Sequence, residues 1–178
     1  FENNYARRGP PILSSDVLRD FSDRGHLTWE HFRLIRRMWK GPLVIKGILD
    51  KDDALIARDA GADGIIVSNH GGRQLDGAVS ALRVLPRIAE ACPGMPVMLD
   101  GGVRRGTDVL KALALGATCV FAGRPFGYAA SIAGAPGVAH AIGLLVAEID
   151  RNMAMLGITD LRELDARRLL RIKGQPHS

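Results

Sequence analysis

The chain has 178 residues, enough for one ordinary domain, and 47% of them are hydrophobic, enough to build a sizeable core. Its formal charge of +5 and pI near 9.7 leave anionic small ligands, an anionic membrane surface and nucleic acid as partner classes. The bases are scattered as Arg7-Arg8, Arg36-Arg37, Arg104-Arg105 and Arg167-Arg168, and aromatics make up only 5% of the chain, so the stacking platform of a single-strand binder is missing and nucleic acid is not expected.

The longest apolar runs, such as Leu110 to Phe121, are broken by Lys111, Gly116 and Thr118. They fall well short of the roughly 20 residues of a membrane span, and no crossing segment is expected. Phe1 to Pro10 mixes acid, amide and base where a signal peptide would be apolar, so no secretory leader is expected. Cys92 and Cys119 fall in no metal or redox spacing. No metal is expected, and a reducing, cytoplasmic setting fits best.

Phe1 to Ser15 contains Asn3-Asn4, Gly9 and Pro10-Pro11 without a period of 2 or 3.6 and reads as a loop; residues 16–178 read as the structured unit. Thr28 opens a helix from Trp29 to Trp39, whose Trp29, Phe32, Ile35 and Trp39 share one face, and Gly41-Pro42 ends it. Four short apolar runs follow, Leu43 to Ile48, Gly64 to Ser68, Pro96 to Leu99 and Thr118 to Ala122, without alternation, as suits parallel strands buried on both faces. Between them Lys51 to Ala60, Ser80 to Ala91 and Gly106 to Leu115 have helical length and period. Alternating strand and helix implies an α/β fold with a parallel sheet.

A weak repeat supports this: Ala60-Gly61-Ala62 leads into the second strand as Leu115-Gly116-Ala117 leads into the fourth. Beyond Gly123 come Phe126 to Ala133, a long helix from Val138 to Met155, and a polar tail. Four such units are half of a (β/α)8 TIM barrel, which takes about 250 residues. The chain is too short to close one, and its loop-like start favours half a barrel over a small open sheet.

In such barrels the loops after the strands share one rim, where catalytic groups gather. The strand ends here read Lys46-Gly47, Ser68-Asn69-His70-Gly71-Gly72-Arg73, Asp100-Gly101-Gly102-Val103-Arg104 and Gly123-Arg124. Lys46 in an apolar strand either snorkels to solvent or meets an anion, for which a cofactor that becomes anionic on reduction would serve. His70 alone would more often be structural. With Arg73 three positions on, an imidazole that takes a proton near neutral pH stands beside a guanidinium that clamps a carboxylate. The last two loops pair exposed backbone N–H groups with Arg104 and Arg124, a pattern suited to phosphate.

The run Ser68 to Asp76, with Lys46-Gly47 upstream and Asp100 to Arg104 and Gly123-Arg124-Pro125 downstream, resembles the FMN-dependent 2-hydroxy acid oxidising enzymes, the glycolate oxidase, lactate oxidase and mandelate dehydrogenase type. The likeness runs from about Thr28 to Lys173, and its ordered motifs are far more specific than any single glycine-rich loop. It implies a C-terminal half-barrel that oxidises an (S)-2-hydroxy acid to the 2-oxo acid with FMN. His70 would be the base, Arg73 would hold the substrate carboxylate, and Lys46 would face the flavin N1 and O2 edge. Ser68 would contact the flavin and Asp100 the ribityl chain, with Gly101, Gly102, Val103, Arg104, Gly123 and Arg124 around the phosphate.

The resemblance also implies the N-terminal half of the same barrel as partner, with its tyrosines and an aspartate for the histidine, and a homo-oligomeric assembly. Residues 1–15 would end the long loop after the fourth strand, mobile in several members, where an insertion in mandelate dehydrogenase-like relatives mediates membrane association. Arg7 and Arg8 would then adjoin a peripheral anchor. Two other readings stay open: another FMN or phosphate-binding barrel such as a type 2 isopentenyl diphosphate isomerase, against which the His70 to Arg73 cluster argues, and a catalytically silent phosphate-binding half-barrel.

Overall fold

A computed structural model describes residues 27–170 of the chain. The loop expected over residues 1–15, with Arg7 and Arg8, lies outside the described residues. The order is α1 (Trp29–Met38), β1 (Val44–Ile48), α2 (Lys51–Asp59), β2 (Gly64–Ser68), α3 (Ala81–Ala91), β3 (Val97–Asp100), α4 (Gly106–Ala114), β4 (Cys119–Phe121) and α5 (Arg124–Leu156), with short 3-10 turns at His70–Gly72, Leu161–Glu163 and Ala166–Arg168. The strands form one parallel sheet in the order β1-β2-β3-β4. Each expected strand and helix up to β4 is present, with ends moved by no more than about a residue.

The helices form where their ends are chemically marked. Asp50 caps α2, its carboxylate accepting the Asp52 N–H at 2.7 Å, and Asp108 does the same for the start of α4 by accepting from Arg104 and Arg105 at 3.0 and 3.1 Å. The sequence repeat becomes a structural one. After α2 the N–H of Gly61 reaches the Arg58 carbonyl (2.9 Å) and that of Ala62 the Ala57 carbonyl (3.0 Å). After α4 Gly116 and Ala117 bond Leu113 and Ala112, both at 3.0 Å. Both are Schellman closures, which need a left-handed residue, and Gly61 and Gly116 supply it with φ of +92° and +103°.

Right-handed β-α-β crossovers put successive helices on one face of a sheet. The core lies there: Ile65, Val67, Val97 and Leu99 pack against Ala54 and Ala57 of α2, Ala81, Leu85 and Ile88 of α3, and Ala112 of α4. The alternate strand positions form the other face, and here burial on both faces, expected from the unbroken apolar runs, does not hold. Val44 and Phe121 are 43% and 42% exposed, Lys46 and Cys119 are exposed, and Ile66 and Met98 are half-buried. The runs are apolar throughout, but α2, α3 and α4 cover one face only.

The end of the chain divides where expected: Arg124–Leu156 is helical on both sides of a break at Ala133 (φ −145°) and Gly134 (φ +55°), which separates the stretch up to Ala133 from the long helix that holds Val138 to Met155. Pro136 is tolerated because it falls in the first turn after this break, where its missing N–H costs no hydrogen bond. By length and composition α5 is apolar enough to cross a membrane, which corrects the expectation that no segment would qualify. None of its apolar stretch is buried within the described residues.

The end of the sheet where the strands begin is tied together by one arginine. The Arg36 guanidinium donates to Asp63 (2.8 Å) and to the carbonyls of Gly61 (3.2 Å), Gly41 (2.8 Å) and Trp39. The same Asp63 oxygen accepts the Leu43 N–H at 2.7 Å, and the Trp39 indole donates to the Pro42 carbonyl at 2.9 Å. The turns leading into β1 and β2 are thereby locked to each other and to α1.

Candidate active site

At the opposite end, where the strands finish, register alone brings the chemistry together. Ser68 pairs with Asp100 across β2 and β3, and Lys46 pairs with Ile66 on β1 and β2. Ser68, Asp100 and Lys46 therefore emerge on the uncovered face within bonding reach. Lys46 Nζ lies 2.7 Å from Asp100 Oδ2 and donates to Ser68 Oγ at 3.1 Å. Ser68 Oγ donates to the same Asp100 oxygen at 2.6 Å and accepts the His70 backbone N–H at 3.1 Å.

This answers the question the sequence raised about Lys46: its ammonium meets a carboxylate 54 positions away, one that the apolar strand pattern gave no means of pairing with it. Burial of Asp100 works against its ionisation. The hydrogen bonds from Lys46 and Ser68, with the charges of Lys46 and His70, outweigh it and hold the carboxyl below its ordinary value. Asp100 is thus a fixed negative charge. Lys46 keeps a side chain 42% exposed, free to meet a second anion on the open face.

His70 is the one non-glycine residue with positive φ (55°) among the described residues, and Gly71 (68°) and Gly72 (71°) continue the left-handed turn. Three groups hold it there. Ser68 takes the His70 N–H, Asn69 Oδ1 accepts the Gly71 N–H at 3.1 Å, and Arg124 Nη2 donates to the Gly71 carbonyl at 2.8 Å. Asn69 and this role of Arg124 were not expected. An asparagine two positions before a glycine pair was the available signal, since its short side chain accepts from the backbone N–H two residues on and so closes such turns.

The phosphate-type loops are shaped by two acids. Besides Asp108, Glu148 of α5 accepts the Gly106 N–H at 2.8 Å and the Arg105 guanidinium at 2.7 and 3.2 Å, and these bonds hold its carboxyl below its ordinary value. The N–H groups of Arg104, Arg105 and Gly106 are therefore already used. An anion at this loop is left the Arg104 side chain, which is exposed and makes no hydrogen bond or ion pair among the described residues, and the backbone before it.

A β-carbon at Gly102 or Gly123 would meet nothing within 4 Å, so there is open room for a bulky anionic group beside Asp100 and Arg104. Val103 is buried against the core, and with Arg104, Phe126, Leu144 and Glu148 it lines a cavity of about 220 Å³ below the loop. The Arg73 side chain is exposed and likewise without hydrogen bond or ion pair among the described residues. The donor set of two unpaired arginines, one lysine, a carboxylate for hydroxyl groups and open glycine loops fits a phosphorylated, polyhydroxylated cofactor such as FMN.

Four successive parallel β/α units that gather charged side chains and glycine loops on the rim where the strands end are the arrangement of a β/α barrel. The chain belongs to the FMN-dependent dehydrogenase family, whose sequence model matches residues 8–171. It is 51% identical to the L-lactate dehydrogenase of Caulobacter sp. (strain K31) over 140 residues, covering 78% of this chain and 37% of that protein. It is 49% identical to the L-lactate oxidase of Nostoc sp. (strain PCC 7120), with coverage of 78% and 38%. Among solved structures it is similar to a soluble mutant of the membrane-associated (S)-mandelate dehydrogenase from Pseudomonas putida, with a TM-score of 0.76, 45% identity, and coverage of 79% of this chain and 40% of that one. The chain spans about two fifths of the length of these relatives, and its four β/α units are part of a (β/α)8 barrel.

Proposed function

We propose that residues 16–178 act as the C-terminal half of a complete barrel that oxidises an (S)-2-hydroxy acid of the lactate, mandelate or glycolate class to the 2-oxo acid. The observation that carries this reading is the joined cluster of Lys46, Ser68, Asp100 and the His70 turn, with the side chains of Arg73 and Arg104 left without partners among the described residues. In the reaction His70 takes a proton from the substrate. The planar fork of Arg73 holds the substrate carboxylate, which fixes the reacting carbon relative to the imidazole.

Lys46, held by Asp100, would place positive charge at the flavin N1 and O2 edge. A bound FMN would supply the two-electron acceptor. Ser68 would touch the flavin and Asp100 the ribityl hydroxyls, while Gly101, Gly102, Val103, Arg104, Gly123 and Arg124 would surround the phosphate. The uncovered sheet face supports an N-terminal half of the same barrel as the partner that completes the pocket.

Relatives are named both dehydrogenase and oxidase, and the final electron acceptor stays open between oxygen and a quinone or cytochrome. Peripheral membrane contact near Arg7 and Arg8 accords with similar structures described as membrane-associated and as a monotopic membrane protein, and we also take the protein as cytoplasmic and homo-oligomeric. The test is anaerobic mixing of the FMN-loaded barrel with lactate, mandelate and glycolate. At least one should bleach the flavin absorbance and yield its 2-oxo acid in equal amount. A protein that stays yellow with every one of them overturns the reading and turns attention to the isomerase-type alternative.

A further inference from the structure

Gly47 interrupts the pairing of β1 with β2: Lys46 stands opposite Ile66 but Ile48 opposite Val67, so the strand bulges at the glycine. Its φ of +108° is one that L side chains rarely adopt. A β-carbon built there would lie 2.7 Å from His70 Nε2, 3.5 Å from Cε1 and 3.7 Å from Cδ2. The first distance is shorter than real β-carbon contacts, so the imidazole occupies the space any side chain at position 47 would fill.

The backbone of His70 is already fixed by Ser68 and by the bonds to Gly71 described above. What remains free is how closely the ring lies against β1. We propose that Gly47 is a positioning residue for His70: the bulge opens the seat into which the imidazole settles by its Nε2 edge, and this sets where the proton-accepting ring stands. The inference rests on the reading of His70 as the base. It differs from a purely structural role, in which the glycine merely allows the bulge, by what happens when the ring is removed.

In the complete, FMN-loaded barrel Gly47→Ala should lower kcat about 100-fold, the scale of a misplacement near 1 Å, while KM for the 2-hydroxy acid changes less than about threefold. The melting temperature should fall as well, because the new methyl group and the imidazole compete for one space. Adding His70→Ala removes the atoms the new methyl group strikes, so the double variant should recover the part of that melting temperature lost to the contact, while the part lost to the φ of +108° stays lost in both variants.

Unchanged kcat in Gly47→Ala, or a double variant that melts as low as the single one, overturns the proposal. If Gly47→Ala does not fold, recovery of a folded yellow protein in the double variant supports it, and failure to recover overturns it. Should no 2-hydroxy acid bleach the unmutated barrel, the oxidase reading falls by itself, and the melting comparison still decides whether ring and glycine share the space.

Discussion

Where the strands begin, Arg36 donates to Asp63 and to three carbonyl oxygens; where they end, Arg73 and Arg104 find no acceptor among the described residues. The same guanidinium chemistry thus serves opposite purposes within one sheet. At the first end four of its five donors are spent on closing turns, which fixes the relative positions of α1, β1 and β2. At the second end backbone turns are closed by Ser68, Asn69, Asp108 and Glu148 instead, and arginine donors are held in reserve for a ligand. Arg124 stands between the two cases, with one donor on the Gly71 carbonyl and the rest exposed.

The division predicts that substitutions at the two ends separate catalysis from stability. The largest effect belongs to His70→Ala in the complete barrel: turnover should fall by roughly three orders of magnitude or more while FMN stays bound, because proton transfer and cofactor retention use different residues. Stopped-flow bleaching against flavin content measures this, and loss of FMN with an unslowed chemical step would contradict it. Arg73→Lys keeps the charge but not the fork and should raise KM roughly 10-fold or more, with FMN retention unaltered. Steady-state kinetics check it, and an unchanged KM would return Arg73 to the ordinary surface.

At the other end Arg36→Ala should leave KM and kcat within about twofold and lower the melting temperature by about 5 °C. A variant that melts normally but loses activity would erase the distinction. Smallest is the effect of acid. The Leu43 N–H first, and the Arg36 guanidinium next, hold Asp63 below its ordinary pKa. Its contribution to folding is therefore complete above the usual aspartate range near 4 and is lost as pH falls through the lowered folded value. Asp63→Asn should flatten part of the fall in melting temperature below about pH 4 and change nothing of that slope near neutrality.

Most of the scaffold was legible because it depends on local chemistry. Strands β1 to β4 are short, β-branched and bounded by glycine or polar residues, and the Gly61 and Gly116 turns are written in three residues each. The rim residues were legible as a set because each follows a strand directly. What could not be read depends on pairs far apart in sequence. Lys46 meets Asp100, Glu148 reaches back to Gly106, and Gly47 makes room for His70, each through strand register or helix packing rather than spacing. The same holds for the sheet's open face: an apolar run says that a strand can be covered on both sides, not that both covers are in the chain. The division of the run after Gly123 was legible because the boundary is local: the backbone breaks at Ala133 and Gly134, and Pro136 falls in the first turn of the helix that follows.

Ser68 is wholly buried, and every valence of its hydroxyl is committed: the hydrogen to Asp100, the two lone pairs to the Lys46 ammonium and the His70 amide. A hydroxyl so placed has no spare rotamer and acts as a junction whose three branches move together. If Lys46 swings toward an incoming anion, the oxygen regains a lone pair, its grip on the histidine amide tightens, and Asp100 gives up one of its two donors. The arrival of charge on one strand is thereby felt at the backbone of the next, within a span of a few ångströms and without any loop having to close.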